Sequence, residues 1–222
     1  MNSLTRRLIA KDLYLQRGLI GIAVVAGLVS LVIAAEGRMR FNIGMIAWIT
    51  TVIAFGIMVT MQGLISERKE RAQLFVLSLP LSHGDYVRTK MLALLACYVP
   101  GWIVLSGGAV VLLLVMPNLP DGMVPYAILL CVYMLANFAV VLCGALHTNS
   151  EGAMTALIVV TNMCVSLFIF AIFAIRGIAD HFQGATPVWN GAFWTVLAIE
   201  LLVFALAVTL PYLVAARRRD HL

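Results

Sequence analysis

Charge is scarce in this chain. Only 11% of its 222 residues are Asp, Glu, Lys or Arg, less than half of the roughly 25% usual in soluble domains, and the mean hydropathy is +1.02. An ordinary soluble fold is excluded, because that much apolar surface cannot be hidden in one small core. Histidine is also sparse: His83, His147, His181 and His221 are the only four, and all fall in expected loops or at the ends. No pair of them within an apolar stretch can hold a haem or a metal. The sequence has no H-E-x-x-H, no paired aspartates and no G-x-S-x-G elbow, so an intramembrane hydrolase or lipid transferase lacks its parts. It has no G-x-x-x-x-G-K-[ST] phosphate loop either, and cannot cradle ATP in that manner.

What is present is 63% hydrophobic residues, gathered into continuous runs. Six runs, 19–35, 43–65, 91–116, 124–146, 153–175 and 191–216, approach or exceed the roughly 20 residues that cross about 30 Å of hydrocarbon as a helix. Barrel strands would instead alternate polar and apolar residues. The expected fold class is all-α, an integral membrane protein of six transmembrane helices, one domain over 1–222. Cys97, Cys131, Cys143 and Cys164 fall inside these runs, where they behave as small apolar residues rather than as staples of a secreted domain.

Basic residues favour the cytoplasmic side of short loops. With the N-terminus inside, that side holds Arg6, Arg7, Lys11, Arg17, Arg68, Lys69, Arg71, Arg88, Lys90, Arg217, Arg218 and Arg219, and the other keeps Arg38, Arg40 and Arg176. Twelve against three places both termini in the cytoplasm. The net charge of +5 thus reflects topology and not a nucleic-acid surface. Residues 1–18 read either as an interfacial elbow helix with Leu4, Leu8 and Leu15 on one face or as a plain lead-in, and no cleavage site of a signal peptide follows them. Residues 176–190, with Trp189 and Pro187, read as an external interfacial or re-entrant turn, or equally as a simple connection.

The one long polar interruption is Ser66-Glu67-Arg68-Lys69-Glu70-Arg71-Ala72-Gln73, continuing through Leu74-Phe75-Val76-Leu77-Ser78-Leu79-Pro80-Leu81-Ser82 to Lys90. Helix can continue from 65 to 77 until Pro80 removes a backbone donor, and Ser82 with Asp85 can open the next helix. A helical corner that carries apolar Leu74, Phe75 and Leu77 beside charged Glu67, Glu70 and Arg71 suits a groove on another protein.

These residues resemble the membrane subunits of ABC-2-type ATP-driven transporters, above all the compact six-span permeases. In that family the first cytoplasmic loop runs from an acidic residue through an aromatic or leucine pair to Leu-Ser-Leu-Pro-Val-Ser and a Lys opening the third span. Here Glu67, Arg71, Phe75, Leu77-Ser78-Leu79-Pro80-Leu81-Ser82, Tyr86, Val87 and Lys90 stand in that order, with Leu81 where Val is common. The resemblance implies an ABC-2, type V exporter-like, permease fold in a cell inner (plasma) membrane of bacterial kind. It implies that Glu67, Glu70, Arg71, Leu74, Phe75, Leu77, Pro80 and Ser82 dock a separate ABC ATP-binding subunit, which binds ATP and Mg. It also implies a second permease copy or a related permease as partner, and export of an amphipathic or apolar cargo such as a peptide, lipid or drug. The chain itself is then no enzyme. A secondary transporter or a non-transport membrane scaffold is the alternative, although inverted repeats are not evident.

Within the spans, Glu200 is the one acid well inside, about 13 Å along the helix from Gly191, and a buried charge there is costly unless paired or wet. Glu200, Asn137 and Asn162 are candidates for a substrate path, with interhelical hydrogen bonding as the plainer use of the same groups. Pro100, Pro211 and the Gly107-Gly108 pair mark sites where the third and sixth spans can bend or simply pack.

Overall fold

The computed structural model describes residues 3–66, 83–117, 119–148 and 150–217, and they are helical almost throughout. The elements are α1 Ser3–Ala35, α2 Arg38–Thr60 continued by a π-helical turn Met61–Ser66, α3 His83–Val115, α4 Met123–His147, α5 Glu151–Ala174, the short α6 Arg176–Ala179, and α7 Gly191–Arg217. All but α6 are long and apolar enough to cross a membrane, six in number among the described residues. The fold class read from the hydropathy runs is therefore the one observed.

α1 packs chiefly on α2 and α3, while α4 packs on α7 and also meets α2, α3 and α5. α4 is the centre of the bundle, since 61% of its apolar window is buried against 17% for α5 and for α7. The main core joins Trp48, Val52 and Phe55 of α2, Leu94, Tyr98 and Leu105 of α3, and Met134, Phe138 and Leu142 of α4. Indole groups tie these spans laterally: Trp48 Nε1 donates to the Leu105 carbonyl at 3.1 Å and Trp102 Nε1 to the Cys131 carbonyl at 2.9 Å. In lipid, where apolar contact alone gives little preference for protein over solvent, such bonds and close packing carry the association. Close packing is clearest at Gly44, where a Cβ would stand 2.4 Å from Ala34 N and 2.5 Å from Ser30 O. Only hydrogen lets the α1 and α2 backbones approach so far.

Several local expectations meet the structure in different ways. α1 runs unbroken through Gly18, because Leu13, Leu19 and Ile20 on both sides of it pack against the core. At about 1.5 Å per residue its 33 residues make roughly 50 Å, longer than the hydrocarbon core. Leu15, assigned to an apolar face, is 66% exposed, whereas Asp12 and Gln16 are the buried ones. Pro100 and Pro211 both lie inside continuous helices. The helix expected across 65–77 is described only as far as Ser66, where it takes the wider π form. α3 is described from His83 onward with Asp85 in its first turn; Ser82, the expected cap, lies outside the described residues.

At the other end of the bundle, residues 176–190 fold down onto the helix ends. Ile178 is buried with Leu129, Ile172 and Phe193, and Phe182 meets Tyr126 and Phe173 edge-on. Asn190 bonds the Gly177 carbonyl through its amide nitrogen while its Oδ1 accepts from Phe193 N at 3.0 Å, capping α7. Gly122 N donates to Gly184 O at 2.9 Å, so this segment is also stitched to the start of α4.

Candidate coupling and transport site

The eight residues assigned to ATPase docking, Glu67, Glu70, Arg71, Leu74, Phe75, Leu77, Pro80 and Ser82, lie outside the described residues. The two helix ends that flank them are described, and both are held by α1. On the exit side, Lys90 of α3 projects back toward α1, and its Nζ stands 2.8 Å from Asp12 Oδ2. Both side chains are almost wholly buried, 6% and 8% exposed, so the ammonium and carboxylate have given up water for each other. Lys11 approaches the same carboxylate at 3.9 Å from the surface.

On the entry side, Gln16 sits one turn beyond Asp12 on the same face of α1. Its Nε2 donates to the Val59 carbonyl at 3.4 Å, just before the π-helical turn. A π turn loosens the regular backbone ladder and is often found where a side chain intrudes. Gly63 in that turn makes room: a Cβ there would lie 2.3 Å from Leu94 Cδ2 and 3.0 Å from Gln16 Nε2. Two residues before Lys90, the Arg88 guanidinium lies over the Tyr212 ring of α7 at 5.5 Å. The first turns of α3 are thus gripped by α1 on one side and touch α7 on the other.

Sequence reading missed this cluster. Asp12 is the only acid in a stretch otherwise basic, and with Gln16 it makes an i, i+4 polar pair. That pair was the available signal, but nothing local connects it to a lysine 78 residues away.

The second candidate region is at mid-bundle. Glu200 of α7 is buried, 5% exposed, and neither carboxylate oxygen has a hydrogen-bond partner among the described residues. Cys131 and Tyr133 of α4 are its electrostatic neighbours, and Ser106 of α3 lies beside the Cys131 thiol. Tyr133 in turn stacks on Phe168 of α5, ring centroids 4.0 Å apart. Asn137 and Asn162, grouped with Glu200 on sequence grounds, are half-buried on α4 and α5, and no hydrogen bond joins either to Glu200 among the described residues. The plainer use foreseen for the asparagines, a bond between helices, is likewise not made by them there.

A cavity of about 130 Å³ opens between α2, α3 and α4, toward the end away from Lys90. Phe41, Trp48, Leu113, Met123, Tyr126 and Leu130 are among its lining residues, and neither Glu200 nor the asparagines reach it. Among the described residues no three His, Cys, Asp or Glu side chains converge as metal ligands.

Comparison with known proteins gives the arrangement its context. No curated protein and no solved structure matches the chain. A family model described as ABC-2 family transporter protein matches residues 7–213, a stretch that takes in all six spans and the polar segment between α2 and α3. The chain therefore belongs to the ABC-2 transporter family, as a membrane-spanning permease subunit of an ABC transporter.

Proposed function

We propose that this permease exports an amphipathic or apolar molecule, driven by ATP that a separate subunit binds with Mg and hydrolyses. The family match over residues 7–213 carries the reading, and with no phosphate loop in these 222 residues the ATP site is supplied from outside them. The polar segment 66–90, with Glu67, Glu70, Arg71, Leu74, Phe75, Leu77, Pro80 and Ser82, is the docking element for that ATPase. Both termini and this segment face the cytoplasm, on the strength of the twelve-to-three basic asymmetry. Two permease copies, identical or related, enclose the path in a bacterial plasma membrane. Glu200, with Asn137 and Asn162, contributes the polar groups of that path; its burial without a hydrogen-bond partner among the described residues supports a role that structure alone does not require. A secondary transporter or scaffold is the competing reading, and an energised partner separates the two.

The test is native copurification. The permease, tagged at its natural expression level, brings down a cytosolic ABC ATPase identified by mass spectrometry. Recovery of a stable assembly without any ATPase overturns the proposal.

A further inference from the structure

The Asp12–Lys90 contact is an expensive way to hold two helices together. A buried ion pair is often no more stabilising than the apolar side chains that would fit the same space, so its presence calls for a reason other than fold stability. Its position supplies one. Lys90 stands on the second turn of α3 and Val59 on the last full turn of α2. Asp12 holds the first at 2.8 Å and Gln16 the carbonyl of the second at 3.4 Å, from adjacent turns of one helix.

We infer that Asp12, Gln16 and Lys90 are positioning residues for energy coupling: α1 braces both helix ends that flank the 67–82 segment, and so moves with them as a unit when that segment is pushed. This inference rests on the ATP-driven reading above. α1 is the suitable receiver because it is a single helix across the whole bundle, and it packs along α2 and α3 through the Gly44 crossing at its far end. A push on the α2–α3 ends would otherwise be absorbed at the π-helical turn. With the brace in place it is delivered to α1 as axial or tilting motion.

The experiment uses the complex with its native ATPase in lipid nanodiscs and a Gln183→Cys reporter in the exposed far loop. The rate of labelling by a bulky polar maleimide is compared without nucleotide and with ATP plus vanadate. With the native pair, nucleotide changes the rate by about fivefold or more, a typical coupling magnitude. In Asp12→Leu with Lys90→Met, both charges are removed together, which avoids stranding one of them in the interior. There the complex assembles with an unchanged thermal midpoint, and the nucleotide response falls to about twofold or less. Lys90→Arg, which keeps a cation opposite Asp12, retains the response. Full response in the neutral pair overturns the inference. So does a neutral pair too unstable to assemble, since the contact would then be a fold requirement. Absence of any nucleotide response in the native pair defeats the ATP-driven reading itself, which is a distinguishable result.

Discussion

Tyr98 of α3 lies flat against Phe138 of α4, ring centroids 4.0 Å apart and planes within 18°. Phe55 of α2 also stacks on Tyr98, at 5.2 Å, so one aromatic cluster joins three spans in the core of the bundle. Since hydrocarbon outside is as apolar as the interior, the cluster stabilises through packing contact and ring geometry rather than through exclusion of water. Tyr98→Ala leaves a cavity between three helices and should lower stability by about 3 kcal/mol. Tyr98→Phe keeps the ring and should cost much less. Unfolding in mixed detergent micelles, followed by tryptophan fluorescence, checks both.

The α1–α2 crossing gives a sharper steric test. Gly44→Ala adds one methyl where the nearest atoms are backbone of Ala34 and Ser30, at 2.4 and 2.5 Å. Backbone cannot swing aside as a side chain can, so the helices must separate, at a cost of about 1–3 kcal/mol. A thermal midpoint equal to that of the native protein in the same detergent would contradict the close approach.

Glu200 is expected to show a trade of stability against function. Its carboxylate is buried with neither oxygen hydrogen-bonded among the described residues, and a group in that state costs about 1–3 kcal/mol or more. Glu200→Met, similar in length and apolar, should therefore raise the unfolding midpoint. If Glu200 serves the path, the stabilised variant loses nucleotide-driven transport or its conformational response. A variant that is stabilised and fully active assigns Glu200 no role.

Orientation is checked in intact cells with two separate variants, Ser82→Cys and Gln183→Cys. Impermeant label should reach the thiol introduced at position 183 from outside, and the thiol at position 82 only after the membrane is opened. Both reacting from the same side would overturn the arrangement inferred from the basic residues.

For docking, Glu67→Lys combined with Phe75→Ala removes one charge contact and one apolar anchor. Interface anchors commonly cost more than about 1 kcal/mol when truncated, so recovery of the ATPase with the tagged permease should fall at least several-fold. Insertion and helix content should be unchanged, since neither residue lies in an apolar span. Undiminished ATPase recovery would place docking elsewhere.

The hydropathy runs alone determined the class of fold and the number of spans, because crossing about 30 Å of hydrocarbon is a demand each segment meets by itself, through its own length and its own backbone hydrogen bonds. Asp85 in the first described turn of α3 was readable for a similar reason, since an acidic residue near a helix start is a local signal. The polar segment announced itself through its charge and its Leu-Ser-Leu-Pro order. Tertiary structure decided everything that depends on which helix meets which. That Leu15 faces out while Asp12 and Gln16 face in is the reverse of what local hydrophobicity suggests, and their partners, Lys90 on α3 and the Val59 carbonyl on α2, lie far away in the chain. Gln16 needed the loosened turn at the end of α2, and Gly63 needed Leu94 beside it. Glu200 was visible as an acid in a span, but its lack of a hydrogen-bond partner among the described residues follows from the packing of α7 on α4. Each of these contacts joins residues far apart in the chain, and a pattern of local preferences carries no information about such partners.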